Sequence, residues 1–295
     1  MVNVKKILIT GGNGFIGKHL LKKLLSIGCD IIAMKRFSSS IPPEIQNNIT
    51  WINWEELELY ENNSIMDGLD TIIHLATNYG RGGDSLLDVY ECNVLKPLLL
   101  LELAKKYNVK KFISTDSFFG KYEKTYKYME SYILTKRHFL EMAKIVTQNH
   151  PELSFVNMRL EHVYGENDQS SKFVSYVIKV LASNQAELEC TSGEQKRDFI
   201  YIEDVISAFD IIIHSDLGPG INEYEVGTGC SRKLSELINE IKSILESKTD
   251  ITFGAISLRS DEIMDSYAAT ESLTKLGWKS NYNLEQGLNK MLKKG

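Results

Sequence analysis

The feature that most constrains the fold is a short apolar run followed at once by three regularly spaced glycines. The run Lys6–Thr10 reads Lys-Ile-Leu-Ile-Thr, which is typical of a buried parallel strand, and Gly11, Gly14 and Gly17 come directly after it. From Phe15 onward, apolar residues recur at helical spacing. The pattern predicts a strand, a tight turn and a helix, the opening unit of an α/β fold with a parallel sheet.

The same turn predicts a site for a nucleotide phosphate. Glycine lets the backbone turn sharply and approach a pyrophosphate, whose charge then meets the free N–H groups at the start of the helix. A glycine-rich turn that binds no ligand is the alternative. The candidate cofactor-binding residues of this turn are Gly11, Asn13, Gly14, Phe15, Ile16 and Gly17.

Strands and helices alternate along the rest of the chain. Apolar runs predict strands near 6–10, 30–34, 49–53, 71–76, 110–115 and 153–159. Helical spacing predicts helices near 15–27, 84–107, 130–149 and 172–184, with further short extended segments at 187–191 and 199–202. This alternation predicts an α/β protein with a doubly wound parallel sheet.

Three further residues point to chemistry at one end of this sheet. Thr115 is expected at the carboxyl end of a strand, the edge at which ligands bind in doubly wound sheets, with its hydroxyl free to bond a substrate oxygen. Tyr132 and Lys136 are four residues apart on a predicted helix and therefore share a face, where the ammonium lowers the pKa of the phenol. Such pairs are common on surface helices, so their placement after Thr115 carries the argument.

With these motifs in this order, the chain resembles the extended short-chain dehydrogenase/reductase family, in the branch that acts on nucleotide-linked sugars. The resemblance covers nearly the whole length. It implies a doubly wound parallel Rossmann sheet with a smaller α/β substrate domain. Further matching segments are Ile73-His74-Leu75-Ala76, Asn93-Val94, Arg159-Leu160, Val163-Tyr164-Gly165, Arg197 to Val205, and Arg259 through Leu276-Gly277-Trp278.

The resemblance also implies a domain division and more of the cofactor site. We expect an NAD(P)-binding Rossmann domain at 1–165, to which the chain returns at about 199–243. A discontinuous substrate domain would lie within 166–295. Leu75 and Ala76, together with Tyr132 and Lys136, are expected beside the cofactor.

The end of the second predicted strand indicates which cofactor is used. A carboxylate is expected there to bond the ribose 2′-hydroxyl of NAD. The chain has Lys35 and Arg36 instead, followed by serines at 38–40, and the nearby Asp30 lies at the opposite end of the strand. A cationic pair suits a 2′-phosphate, so NADP (NADPH) is favoured over NAD. The alternative is that both cations simply face solvent.

Two residues that related enzymes carry are absent from this chain, and their absence narrows the reactions that it could catalyse. Dehydratases that resemble this chain carry Asp-Glu after the active-site threonine, whereas this chain has Asp116-Ser117. The related 4-epimerases hold NAD through the ribose carboxylate that is missing here. A reductase is the simplest reading: NADPH reduces the C4 ketone of a nucleotide-linked 4-keto-6-deoxyhexose. Tyr132 would protonate the oxygen, Thr115 would polarise the carbonyl, and Lys136 would assist both tyrosine and cofactor.

Substrate contacts follow from the resemblance. Arg197 and Arg259 match the family's arginines that bind the substrate diphosphate, although isolated arginines are often surface ion-pair partners. His162 would contact the nicotinamide end or the sugar, or is a structural histidine. Asp116 and Ser117 complete the candidate substrate-binding residues.

Two other functions stay open from the sequence. One is a nucleotide-sugar 4-epimerase, and the other is a non-catalytic NADP-binding protein, which typically lacks the tyrosine or lysine present here. The segment 78–83 is either a mobile loop over the cofactor or an ordinary flexible loop. Likewise, Tyr122, Tyr126 and Tyr128 either rim a sugar pocket or cover core.

Composition excludes several classes. The chain has 295 residues, 43% hydrophobic and 25% charged, enough for an ordinary core. A net charge of −5 without a basic cluster argues against nucleic acid. Short apolar stretches and the lack of a signal-like segment predict a cytoplasmic protein with no membrane partner. Four cysteines without C-x-x-C spacing and six histidines without metal spacing predict reduced thiols and no metal. The resemblance implies a homodimer.

Overall fold

The structure is a computed structural model that describes residues 5–41, 43–46, 48–57, 64–81, 83–122 and 126–293. Its strands are β1 Lys6–Thr10, β2 Asp30–Lys35, β3 Thr50–Asn53, β4 Thr71–His74, β5 Lys111–Ser117, β6 Ser154–Leu160, β7 His162–Tyr164, β8 Glu187–Cys190, β9 Lys196–Arg197, β10 Phe199–Tyr201, β11 Gly220–Val226, β12 Arg232–Lys233, β13 Asp250–Phe253 and β14 Asp265–Ser266.

The α-helices are α1 Phe15–Ser26, α2 Leu86–Tyr90, α3 Lys96–Lys106, α4 Glu130–Gln148, α5 Phe173–Ala182, α6 Ile202–His214, α7 Leu234–Ile244, α8 Glu271–Thr274 and α9 Leu284–Lys293. A π-helical segment, Glu91–Leu95, joins α2 to α3. Short 3-10 turns cover Pro43–Ile45, Trp54–Glu56, Ser64–Met66, Phe118–Lys121 and Lys127–Met129.

The largest sheet in the described part of the chain has seven strands in the order β11-β6-β5-β4-β1-β2-β3. The pairs β1/β2, β2/β3, β1/β4 and β4/β5 are parallel. The chain therefore runs outward from β1 to β3 and then crosses back to β4 on the other side of β1. This reversal of strand order confirms the predicted doubly wound α/β fold and makes a crevice beside the carboxyl ends of β1 and β4.

Strand residues are apolar on both faces because helices cover both sides of a parallel sheet. Ile7, Leu8 and Ile9 are all fully buried, which explains why β1 reads as a continuous apolar run. On one side, the core joins sheet residues such as Phe112 and Phe155, whose rings are stacked 5.4 Å apart, with Phe139 of α4. This packing fixes the position of α4, which carries two of the candidate catalytic residues.

The structure corrects several predicted boundaries. The helix predicted at 84–107 is divided by the π segment between α2 and α3. Strand β4 ends at His74 and β5 continues to Ser117, so Thr115 lies inside its strand and not at its end. The sequence reading missed β11 and the short strands β7, β9, β12, β13 and β14. Strands of two to four residues are too short to show a clear alternation.

The end of α6 is held by a buried lysine. Lys111 Nζ donates hydrogen bonds to the carbonyl oxygens of Ile212 (2.7 Å), Ile213 (3.0 Å) and Ser215 (2.8 Å). These are carbonyls that a helix C-terminus leaves without intrahelical partners. Burial, aided by the charge of Lys5, lowers the pKa of Lys111 to about 8. The contact attaches the C-terminal part of α6 to the first residue of β5.

By packing, the chain divides into two compact units. Unit 1 comprises 1–159 and 209–224 and contains most of the large sheet, whereas unit 2 comprises 160–208 and 225–295. In unit 2, β7 pairs with β10, β8 pairs with β13, and β9 lies between β12 and β14. The predicted domain boundaries concern ligand-binding roles and stay a prediction.

Some general properties complete the description. All four cysteines are free thiols. In the described ranges, no group of three or more His, Cys, Asp or Glu side chains is arranged to hold a metal ion. Nor does any helix of those ranges have the length and apolar character needed to cross a bilayer.

Candidate active site

Close packing of the backbone explains the glycines after β1. Gly11 has a φ of +70°, and a Cβ there would lie 2.7 Å from the Ala76 nitrogen and 2.8 Å from the Leu75 carbonyl carbon. A Cβ on Gly17 would overlap the Gly11 carbonyl oxygen and lie 2.7 Å from the Gly12 Cα. The turn is thus pressed against both α1 and the segment after β4. Only glycine satisfies this geometry.

The start of α1 is chemically suited to a pyrophosphate. Its N-cap, Gly14, has no side chain to bond the first N–H groups of the helix, and the first turn carries no acid. Asn13 Nδ2 donates to the Ser40 carbonyl oxygen (2.8 Å), while Asn13 Oδ1 is buried with no hydrogen-bond partner among the described residues. The Gly14 N–H donates to the Gly11 carbonyl oxygen (2.9 Å), and the start of the helix at Phe15 and Ile16 fits the phosphates of a dinucleotide.

The two cations predicted to select the cofactor lie at the end of β2, next to this turn. Lys35 is half-buried and ends the strand, and Arg36 is exposed and follows it. The Ser39 N–H donates to the Arg36 carbonyl oxygen (2.9 Å), which closes a turn. Because Asn13 bonds the Ser40 carbonyl, this turn is tied to the glycine loop. The structure thus brings the proposed phosphate-binding segments together.

The structure also brings together Thr115, Tyr132 and Lys136. All three side chains are buried, with 8%, 6% and 6% of their surfaces exposed. Lys136 Nζ donates to the Thr115 carbonyl oxygen at 2.9 Å, which joins α4 to β5. The Thr115 hydroxyl makes a long contact of 3.5 Å with the His74 carbonyl oxygen, so its donor is only weakly engaged.

Burial sets the protonation of the lysine and tyrosine. It raises the pKa of Tyr132 well above its usual value, and Tyr79 and Asp116 add to this effect, whereas a hydrogen bond with the Ser117 side chain and the charge of Arg81 lower it. Burial lowers the pKa of Lys136, opposed by Asp116 and Cys92. The net direction for Tyr132 is therefore upward. The sequence-based expectation that the Lys136 charge lowers the pKa of Tyr132 stays a prediction.

His74 is a buried residue of the site to which the sequence reading assigned no role. Its Nδ1 lies 2.8 Å from Thr10 Oγ1, which in turn accepts a hydrogen bond from the Ala76 N–H (3.2 Å). Burial and the charge of Lys136 lower the pKa of His74 well below its usual value, so the ring is neutral at pH 7. The bonded pair connects the carboxyl ends of β1 and β4 beneath the glycine turn.

The segment after β4 covers the tyrosine. The Tyr79 ring lies 5.0 Å from the Tyr132 ring, between centroids. The Arg81 guanidinium lies 5.8 Å from the Tyr79 ring and 5.0 Å from the Tyr128 ring. Of the predicted loop 78–83, Gly82 lies outside the described residues. Of the aromatic set, Tyr126 is buried in the core cluster around Tyr132, as the core alternative expected.

Asn93, in the π segment, holds that covering segment in place. Its Nδ2 donates to the Asn78 carbonyl oxygen (2.8 Å) and to Thr135 Oγ1 (3.0 Å), and its Oδ1 accepts from the Asn78 N–H (2.8 Å). The side chain is fully buried. A π turn inside a helix is often found at a functional site, and here it turns an amide toward α4 beside Tyr132.

Unit 2 contains the other candidate substrate residues. Arg197 is buried, and its Nη2 pairs with Glu262 Oε1 at 2.5 Å, whereas Arg259 is exposed. His162 lies on β7, 5.6 Å from the Phe199 ring between centroids, and burial lowers its pKa. Their roles in substrate binding stay predictions.

The strand that carries Arg197 is held by the next residue. Asp198 is fully buried and accepts hydrogen bonds from the Thr228 N–H (2.8 Å), the Thr228 hydroxyl (2.6 Å), the Gly229 N–H (2.9 Å) and the Ala268 N–H (3.2 Å). A carboxylate with four donors is a strong anchor in a buried position. It ties the end of β9 to two other segments of unit 2.

A doubly wound sheet with a glycine turn after its first strand and a buried Thr/Tyr/Lys group defines a nucleotide-dependent enzyme of the short-chain dehydrogenase/reductase type. The sequence model of the NAD dependent epimerase/dehydratase family matches residues 7–227. The chain belongs to this family, which is NAD(P)-dependent. The predicted membership of the extended short-chain dehydrogenase/reductase family, nucleotide-sugar branch, is confirmed.

Similar proteins cover the whole chain. CDP-abequose synthase from Salmonella muenchen is 47% identical over 288 residues, which is 98% of this chain and 97% of that protein. CDP-abequose synthase from Salmonella typhimurium is 41% identical over 292 residues, with the same shares. The UDP-glucose 4-epimerase of Thermotoga maritima, solved with UDP-glucose, superimposes with a TM-score of 0.84 at 22% identity, covering 98% and 97% of the two chains.

The close packing of the glycine turn after β1 leads to a first prediction. Gly17→Ala should lower the free energy of unfolding by about 1–3 kcal/mol, because its Cβ would overlap backbone atoms that cannot move independently. It should also weaken binding of the dinucleotide. Both are measured by chemical denaturation and by titration with NADPH. Gly218→Ala is the matched control, since a Cβ there meets nothing within 4 Å. Equal stability of the two variants would contradict the packing argument.

Proposed function

We propose that the protein reduces the C4 ketone of a CDP-linked 4-keto-6-deoxyhexose with NADPH, in deoxysugar biosynthesis. The observation that carries this proposal is the buried group of Thr115, Tyr132 and Lys136 in a chain 47% identical to a CDP-abequose synthase. The name of that relative supports CDP as the nucleotide and a deoxyhexose as the sugar. A reduction by NADPH is also consistent with membership of a family of NAD(P)-dependent enzymes.

In the proposed mechanism, each of the three residues has a defined role. When bound, NADPH supplies a hydride for the keto carbon. Tyr132 donates its phenolic proton to the carbonyl oxygen as the alkoxide develops, and the Thr115 hydroxyl donates a hydrogen bond to the same oxygen. Lys136 holds a positive charge beside the group and binds the ribose of the cofactor. His74, being neutral, adds no competing charge.

The proposal that NADPH is preferred to NADH rests on Lys35 and Arg36. A guanidinium and an ammonium next to the glycine turn suit a 2′-phosphate, which a carboxylate would repel. The relative MoeE5, whose structure matches with a TM-score of 0.83, was solved with UDP-glucuronic acid and NAD. The residues at the end of β2 are where this chain would distinguish NADPH from NADH.

For the substrate, we propose that Arg197 and Arg259 bind the diphosphate and that His162 faces the sugar or nicotinamide. Planar guanidinium groups bind phosphate oxygens through paired hydrogen bonds. The buried position of Arg197 limits its movement, so its pairing with Glu262 presents the group in one orientation. Asp116 and Ser117 lie at the end of β5 next to Thr115, where the sugar would approach.

We also infer a homodimer. The helices on one side of unit 1 expose a set of large apolar side chains: Leu86, Leu87, Leu95, Leu99, Leu134, Met142 and Ile145. Leu87 is 80% exposed and Leu86 is 74% exposed. Several large exposed apolar side chains on neighbouring helices typically mark an interface. Since α3 and α4 pack against each other, a second copy would cover both helices and form a symmetric bundle.

A cytoplasmic location is the accompanying proposal. Its support is the set of four free cysteines, which is typical of a reducing compartment.

The catalytic assignment predicts the effect of two variants. Tyr132→Phe should lower kcat by about 10²–10⁴-fold and leave NADPH binding nearly unchanged, because it removes only the transferable proton. Lys136→Ala should impair both. The assay follows consumption of NADPH with CDP-, dTDP-, GDP- and UDP-linked 4-keto-6-deoxyhexoses. Tyr176→Phe, an exposed tyrosine on α5, is the control.

The same assay separates the alternatives. A reductase consumes one NADPH for each sugar, a 4-epimerase regenerates its cofactor, and a binding protein does neither. Wild-type turnover without net NADPH consumption would overturn the reductase proposal in favour of an epimerase. A Tyr132→Phe variant with most of the wild-type rate would overturn the catalytic assignment.

Cofactor preference is tested with Lys35→Ala/Arg36→Ala. A charge-assisted contact contributes about 1.5–3 kcal/mol, so losing both should lower the preference for NADPH over NADH at least tenfold, since about 1.4 kcal/mol is a factor of ten. Both dissociation constants are measured at fixed ionic strength, because salt screens such contacts. Lys22→Ala, an exposed lysine on α1, is the control. An unchanged ratio, or a wild type that prefers NADH, would refute the NADPH proposal.

Dimerisation is tested by sedimentation velocity. Leu87→Glu/Leu99→Glu should convert the dimer to a folded monomer, because two carboxylates would be buried without partners at the interface. Ile256→Glu, which alters an exposed residue outside these helices, should leave the dimer intact. A wild type that sediments as a monomer would refute the dimer.

A further inference from the structure

A cluster of charged and polar side chains, buried apart from the half-buried Arg159 and the exposed Glu223, crosses three adjacent strands of the large sheet. Asp116 of β5 has its Oδ2 3.3 Å from Asn157 Nδ2 and 3.4 Å from Arg159 Nε, both on β6. Arg159 Nη1 pairs in turn with Glu223 Oε2 on β11, at 2.7 Å. Four side chains thus form a row across the sheet, and Asp116, on the strand β5 that also carries Thr115, is at one end of the row.

The carboxylate of Asp116 is held on every side. Its other oxygen, Oδ1, accepts a hydrogen bond from the Ser117 N–H at 2.7 Å. A Cβ on Gly120 would lie 2.9 Å from Oδ2, so the chain passes directly over the group. The side chain is only 8% exposed.

In the chain, Asp116 lies between two residues that contact Lys136 and Tyr132, the proposed catalytic pair. On one side, the Thr115 carbonyl oxygen accepts the hydrogen bond of Lys136 Nζ. On the other side, the Ser117 side chain is hydrogen-bonded to Tyr132. Asp116 therefore lies in the chain directly between the residue bonded to Lys136 and the residue bonded to Tyr132.

The charge of Asp116 acts on both groups in one direction. It raises the pKa of Lys136, against the lowering by burial, and it raises the pKa of Tyr132 further. Other charged or titratable groups face the pair: Tyr79 and Arg81 act on Tyr132, and Cys92 and His74 lie near Lys136. Of these, Asp116 is the group that acts on both members of the pair.

We propose that Asp116 is a positioning residue whose held negative charge keeps Lys136 as an ammonium ion and Tyr132 as a neutral phenol, so that the site donates a proton. This inference rests on the proposed reductase function. In reduction, the hydride forms the new C–H bond, the carbonyl π electrons move to oxygen, and the phenolic proton goes to that oxygen. The phenolate then recovers a proton from solvent.

The placement of Asp116 distinguishes this site from the active sites of related epimerases and dehydratases. An epimerase or dehydrogenase needs the tyrosine as a base, and an adjacent anion makes the phenolate harder to form. In a dehydratase, an aspartic acid at this position serves as a proton donor. Asp116 faces Arg159 and Asn157, both hydrogen donors, and so is held as an acceptor.

The test is Asp116→Asn, which keeps the volume and an oxygen that accepts the Ser117 N–H but removes the charge. Reduction needs a protonated donor, so kcat/KM falls as pH rises through the pKa of Tyr132. In the variant, this fall should move to lower pH, because the anion that raises the pKa of Tyr132 is gone. Glu223→Gln, at the far end of the row, should move it less. A variant that loses activity equally at every pH would show a merely structural role and overturn the proposal.

A second measurement does not depend on turnover. The protein is labelled with [13C]tyrosine, the Tyr132 signal is assigned with Tyr132→Phe, and its titration is followed by NMR in the NADP+ complex. Ionisation should begin at lower pH in Asp116→Asn than in wild type. Identical titrations would overturn the proposal. If the titration shifts but neither protein reduces any keto-sugar, the proposed function fails and the role of Asp116 stands.

Discussion

The burial of a lysine ammonium between α4 and β5 is the constraint on which the site depends. A charge taken out of water is costly unless strong partners replace the water. Lys136 finds one such partner in the Thr115 carbonyl oxygen, and the nearby charge of Asp116 offsets part of the remaining cost. This contact also fixes the distance between helix and strand. Tyr132, one turn earlier on α4, is thereby held beside β5, where it is hydrogen-bonded to the Ser117 side chain.

No second positive charge is placed beside the Lys136 ammonium by its neighbour His74. His74 is kept neutral by its burial, and its Nδ1 is bonded to Thr10. On the other side, Asn93 uses its amide to bind the segment that carries Tyr79, whose ring lies against that of Tyr132. The low-dielectric surroundings strengthen every electrostatic interaction inside them.

The family to which the chain belongs uses this framework for several reactions of nucleotide sugars, and the differences lie in a few side chains. Lys35 and Arg36 stand where a carboxylate would select NAD, and Ser117 stands where a dehydratase has glutamate. Neither change disturbs the core, because the residues lie at strand ends. Fold and reaction type are therefore set by different parts of the chain.

The sequence by itself determined the α/β class, the glycine turn, and the one-face spacing of Tyr132 and Lys136, because these depend on residues close together in the chain. It also indicated where β1 and α4 lie, since continuous apolar runs and helical periodicity are local signals. Only the tertiary structure decided that Asp116, Asn157, Arg159 and Glu223 form a row, that Tyr79 covers Tyr132, and that β11 completes the sheet. Those contacts join distant segments whose meeting depends on the order of strands, and strand order leaves no mark in the local pattern of residues.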